Sequence, residues 1–264
     1  MKLGCCVNML ATPQDIIGAK WMQEVERAGF DYIELPMGVM MELSDEAFEK
    51  LAKEVDALSI PCDCCNAFMP AKIKITGPNP DILAAEEYLR VSTARAARLG
   101  AKYIIFGSAG SKNVPDGFSH ETAFNQIVEF LRLAGKYCEQ NDICLAIEPL
   151  NKLEGNIILN LPEGARLMDA VNHPRVKLLA DYFHYELGGE TADALLAVCD
   201  RLVHTHFAET LGRCFPTEMK PQYRSFFETL INGGYKGRCS IEAYSQNPAK
   251  DMARALEVLG EYRT

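Results

Sequence analysis

Glu148 in the stretch LAIEPLN, Asp181 in LLADYFH, His206 in VHTHFAE and Glu242 in SIEAY each close an otherwise apolar run. An ionised carboxylate in such a setting costs several kcal/mol unless something pairs with it. One polar strand end means little, but four in successive runs argue for a common partner. Three carboxylates and one imidazole, without a thiolate, suit a hard divalent cation: Mn²⁺ or Mg²⁺ first, with Co²⁺ and Zn²⁺ also compatible. Such an ion would neutralise the buried charge and leave positions open for substrate oxygens.

Short β-rich runs alternate with helical patterns along the whole chain. Eight strands are expected, beginning near Lys2, Asp31, Ile60, Ala101, Ile143, Val176, Leu202 and Cys239. The helices between them carry caps. Thr12, Pro13 and Asp15 read as the start of the first helix and Gly29 as its end, Ile16, Ile17, Met22 and Val25 form its apolar stripe, and a helix from about Pro80 closes at Leu99 and Gly100. Gly233 and Gly234 end the seventh helix in the same way. The repeat predicts one (β/α)8 TIM barrel of class α/β, a single domain over residues 1–264. An open α/β sheet of fewer strands is the alternative, although no GxGxxG follows the first strand.

In a barrel the alternate residues of a strand point inward and the last ones lie at the catalytic face. Glu148, Ala146 and Cys144 would then face in, with Ile143, Leu145 and Ile147 turned to the helices. Strands five and eight are three steps apart in a ring of eight, which sets Glu148 and Glu242 on roughly opposite sides of the mouth. Two carboxylates facing each other across a bound substrate can take a proton from one face and return one to the other. That is the chemistry of an epimerase working through an enediolate, whose charge a metal stabilises. Glu154, His184, His204 and Arg213 surround this core as candidate contacts for sugar hydroxyls, Glu34 ends the second strand in position to join them, and His120 and His173 read as surface residues.

Of the 264 residues 48% are hydrophobic and 24% charged, enough for a sizeable core. With 36 acidic against 27 basic residues the net charge is −9, which disfavours nucleic acid and anionic membranes as partners and favours a small molecule. No apolar run nears the roughly 20 residues of a membrane span and no secretory signal opens the chain, so the expected compartment is the cytoplasm. The ten cysteines read as reduced thiols; Cys62, Cys64 and Cys65 lack the second CxxC of a structural zinc site.

The succession IEPLN, Asp181 to His184, HTH and SIE, with GYKG before the last strand, resembles the xylose isomerase-like barrels, most closely the D-tagatose and D-psicose 3-epimerase group, over nearly the whole chain. The resemblance implies that Glu148, Asp181, His206 and Glu242 bind a divalent metal, commonly Mn²⁺, and that Glu148 and Glu242 form the acid/base pair. It further implies that Glu154, His184 and Arg213 contact the sugar. The end of the fourth strand, FGSAGSKNVPDGF, lacks the aromatic residue common there in 3-epimerases, which leaves the sugar open; its phosphorylation and the oligomeric state, a homo-oligomer among the candidates, are open as well. Hydroxypyruvate isomerase is the runner-up, followed by inosose dehydratase. An endonuclease IV-like nuclease wants histidines where this chain has Asn66 and Ser108, and a non-catalytic sugar binder has no need of two opposed glutamates.

Overall fold

The computed structural model describes residues 1–263; Thr264, the last residue of the expected 1–264 domain, lies outside them. Eight parallel strands close a barrel in chain order, β1 Lys2–Cys6, β2 Tyr32–Pro36, β3 Cys62–Asn66, β4 Tyr103–Phe106, β5 Cys144–Ile147, β6 Val176–Asp181, β7 Leu202–Phe207 and β8 Arg238–Ile241. Each begins within two residues of its expected start. Ring closure comes from β1 against β8, with Lys2 opposite Arg238 and Cys5 opposite Ile241.

The helical layer follows from capping. Asp81 accepts the amide of Ala84 to start the helix Ile82–Arg98, Ser119 accepts that of Thr122 to start His120–Gln140, and Asn160 accepts that of Glu163 to start Leu161–Val171. The first helix departs from expectation, starting at Met22 after a 3₁₀ turn at Ala19–Trp21 instead of at Thr12. Asp15 is the reason: its carboxylate accepts the amides of Gly18, Ala19 and Lys20, so it caps the later start and leaves Thr12 to Asp15 as a tight turn. Gly18 has φ +83°, and a Cβ there would lie 2.0 Å from the carbonyl oxygen of Val7.

The strands sort their side chains as the alternation requires. Leu145 and Ile147 join the large core between barrel and helices, whereas Ala146 packs with Ile105 and Leu179 in a separate small cluster inside the barrel. The rest of the interior is polar and layered. Asp63 and Arg238 pair at 2.6 Å near the strand starts, and Glu34, His204 and Ser240 lie fully buried above them. All ten cysteines are unpaired, eight of them buried, with Cys62, Cys64 and Cys65 inside β3.

Candidate metal centre and active site

The four strand-end side chains meet. One ligand atom each from Glu148, Asp181, His206 and Glu242 can be chosen so that all lie within 4.8 Å of one another. Glu148 and Glu242 directly follow β5 and β8, Asp181 ends β6, and His206 is the penultimate residue of β7. His206 Nδ1 is 3.1 Å from Glu148 Oε1 and 3.6 Å from Glu242 Oε2, so the two glutamates converge on one point from their separate sides.

Local structure fixes each group. Asp181 Oδ1 caps the helix Tyr182–Gly188 by accepting the amide of Phe183 at 2.8 Å, while Oδ2 is buried without a hydrogen-bond partner. This oxygen has only the longer ion-pair contacts of His184 Nε2 at 3.5 Å and Arg213 Nη2 at 3.8 Å, and beside three other groups of ligating chemistry it could take a cation. Glu148 fits because residue 107 is glycine: a Cβ there would stand 2.2 Å from Glu148 Oε2. Beneath it the fully buried Lys112 reaches the carbonyl oxygen of Glu148 at 3.3 Å. Burial pushes the Lys112 ammonium down to about 8.

The carboxyls titrate apart. Burial works against ionisation of Glu148, but the hydrogen bond from His206 and the nearby positive charges hold it below the usual carboxylate range. Burial pushes Glu242 above that range, with the repulsion of Glu148 and Asp181 added. Glu34 resists its own complete burial through the charges and hydrogen bonds of His206 and His204, which hold it low. His206 is raised well above an ordinary imidazole by Glu34 and Glu242, against the effect of burial.

The expected sugar contacts ring this centre. Arg213 Nη2 donates to Glu242 Oε2 at 2.5 Å, its Nη1 donates to Glu154 Oε1 at 3.2 Å, and its guanidinium lies 4.5 Å over the ring of Phe183. Arg213 has φ +45°, a left-handed conformation pinned by its carbonyl accepting the amide of Tyr244. His184 Nε2 is 3.5 Å from Asp181 Oδ2, and its Nδ1 accepts the backbone amide of Asn151. Glu154 is exposed beyond Arg213, His120 is on the surface and His173 is half-buried at a helix end.

Two residues stand elsewhere than the sequence suggested. Asn66, at the end of β3, donates from Nδ2 to Glu242 Oε1 at 3.0 Å and to Asn8 Oδ1 at 3.1 Å. Its polarity at a strand end was the available signal. Glu34 does not stand with the mouth carboxylates; it lies beneath them against His206 and His204, because β2 carries it one layer deeper in the barrel.

The fold has known counterparts. The family described as "Xylose isomerase-like TIM barrel" matches residues 22–262. L-ribulose 3-epimerase of Methylomonas sp. (strain DH-1) is 28% identical over 224 residues, covering 83% of this chain and 76% of its own. Hydroxypyruvate isomerase of Escherichia coli (strain K12) is 29% identical over 146 residues, 54% of this chain and 57% of its own. D-allulose 3-epimerase from Methylomonas sp., solved in complex with D-allulose, superposes with a TM-score of 0.88 at 21% identity, covering 99% of this chain and 97% of the other.

Proposed function

Because the chain belongs to the xylose isomerase-like TIM barrel family, we propose that this sugar isomerase is a divalent-metal-dependent ketose 3-epimerase acting in the cytoplasm as a single-domain enzyme. The observation that carries the reading is the convergence of Glu148, Asp181, His206 and Glu242, with Asp181 Oδ2 buried and without a hydrogen bond. Their donor set, hard oxygens with one imidazole, fits Mn²⁺ best and Mg²⁺, Co²⁺ or Zn²⁺ acceptably. These four residues would hold the ion. When bound, it supplies the positive charge that stabilises an enediolate.

The protein's own groups do the proton work. A ketose proton on C3 is acidic because the carbanion left behind delocalises into the C2 carbonyl. One carboxylate of the Glu148/Glu242 pair removes it, and the other delivers a proton to the opposite face, inverting C3. The two environments favour this division, since one carboxyl is held ionised and its neighbour is pushed toward the protonated form. Arg213 and His184 are assigned to sugar hydroxyls, with Glu154 at 3.2 Å from Arg213 fixing the guanidinium. Ten unpaired thiols fit a reducing compartment.

Chelated protein resupplied with Mn²⁺ is expected to interconvert C3-epimeric ketohexoses or ketopentoses. The relative among hydroxypyruvate isomerases supports a second reading. Interconversion of hydroxypyruvate and tartronate semialdehyde, with no action on any ketose, would establish it in place of the first; loss of water from a cyclic polyol ketone would instead indicate a dehydratase.

A further inference from the structure

Below the four mouth residues, Glu34 is enclosed by donors, and its carboxylate is 0% exposed. His206 Nε2 lies 3.0 Å from Glu34 Oε1 and His204 Nε2 lies 3.0 Å from Oε2. Ser240 Oγ donates to Oε2 at 2.5 Å, and Tyr32 OH meets Ser240 Oγ at 2.9 Å. On the far side of His204, Nδ1 is 3.6 Å from Cys64 Sγ.

The polarity of this ladder follows from one fact: an ionised carboxylate only accepts hydrogen bonds. Both histidines must therefore present Nε2–H to Glu34. For His204 this leaves Nδ1 as the acceptor for the Cys64 thiol, which burial keeps protonated. For His206 it makes Nδ1, which donates to Glu148 Oε1 at 3.1 Å in this structure, the nitrogen that would give up its hydrogen and turn a lone pair to a cation at the mouth, where Glu148 and Glu242 converge. Tyr32 donates to Ser240, Ser240 donates to Glu34, and no donor in the ladder opposes another.

We infer that Glu34 is the positioning residue of the metal centre: by accepting Nε2–H from both barrel histidines it locks His206 in the tautomer and orientation that present Nδ1 to the cation. This inference rests on the metal reading of the four mouth residues and adds to it a residue that touches neither metal nor substrate. A carboxylate behind a metal-bound imidazole fixes the ring and strengthens the ligand, and its loss costs about 10–100-fold in metal affinity. Glutamine at position 34 has the same shape but one acceptor oxygen in place of two. Two imidazole N–H groups and a serine hydroxyl then compete for it, and the amide donates toward one of them.

The test is Mn²⁺ titration into chelated protein by calorimetry. Glu34→Gln is expected to bind Mn²⁺ about 10–100-fold more weakly than the parent. Leu179→Ala, which opens a hole in the small apolar cluster inside the barrel, is expected to lower Tm while leaving the affinity within about twofold, separating ligand positioning from general loss of stability. Nitrogen-15 NMR of the unaltered protein saturated with Zn²⁺ gives an independent readout that needs no variant. His206 should carry its proton on Nε2, in a strong hydrogen bond, with Nδ1 bound to metal. Equal Mn²⁺ affinity in Glu34→Gln and parent, or an unprotonated His206 Nε2 in the Zn²⁺ form, would overturn the inference alone. A parent that binds no divalent ion would overturn it together with the metal reading beneath it.

Discussion

Glu148 and Glu242 have the same side chain and contact the same imidazole nitrogen, yet their surroundings push their protons in opposite directions. That asymmetry gives each a separate expected role. Glu148→Gln and Glu242→Gln should each lower kcat by about 10²–10⁴, the usual span for removing a general acid or base. Steady-state assays on fully metal-loaded protein check this, and retention of more than about half the turnover by either variant would refute the two-base mechanism. These residues were legible in the sequence because a carboxylate at the end of LAIE or SIE is conspicuous against its apolar neighbours. Asn66 is only half legible: its polarity at a strand end is a signal, but its contact is with a residue 176 positions away, and no local pattern names that partner. Glu34 reads from the sequence as a neighbour of the mouth residues and stands one layer lower, since strand periodicity gives the face of a residue and not its depth in the barrel.

Elements hold these residues through small local devices. The turn after β4 is Gly-Ser because Glu148 comes over from β5 into the volume a side chain at 107 would fill. Gly107→Ala should displace that carboxylate, weaken Mn²⁺ binding by at least about tenfold, as loss of a well-placed supporting contact does, and lower Tm; titration calorimetry reads the affinity and scanning calorimetry the Tm. The sequence showed a glycine-rich loop there without showing the group it accommodates. A second device joins the helices on either side of β6. Glu190 Oε2, just past the helix Tyr182–Gly188, accepts the amide of Leu161 at 2.8 Å, at the start of the helix Leu161–Val171. Burial, with Glu163 nearby, pushes this carboxyl from 4.5 up to about 7. The folded protein therefore binds more protons than the unfolded chain between those values, and this contribution to stability falls as pH rises through the window. Glu190→Gln keeps an acceptor and removes the charge. It should raise Tm by about 2–4 °C at pH 8 and leave it nearly unchanged at pH 4, by calorimetry across pH. The misread start of the first helix belongs to this scale too: Thr12 and Pro13 look like a cap, and only the three amides gathered by Asp15 reveal the true one.

The molecule as a whole is a barrel with its polar groups in tiers: the Asp63–Arg238 pair near the strand starts, the Glu34 ladder in the middle and the four converging side chains Glu148, Asp181, His206 and Glu242 at the mouth. The alternation of strands and helices was readable because a period of two and a period of 3.6 mark the chain from one end to the other. The tiers were not, because each joins side chains from strands far apart in sequence. Among the described residues no helix is long and apolar enough to cross a membrane. The net charge of −9 disfavours polyanionic partners such as nucleic acid. The central claim is that two glutamates move a proton at C3 of a ketose. Its most direct test is to incubate the Mn²⁺-loaded protein with a ketose in D₂O and map the deuterium by NMR. Deuterium is expected at C3 of the product epimer and none at C1. Deuterium at C1 or at C2 of an aldose product, or C3 inversion with the original proton quantitatively retained when Glu148 or Glu242 is replaced, would contradict it.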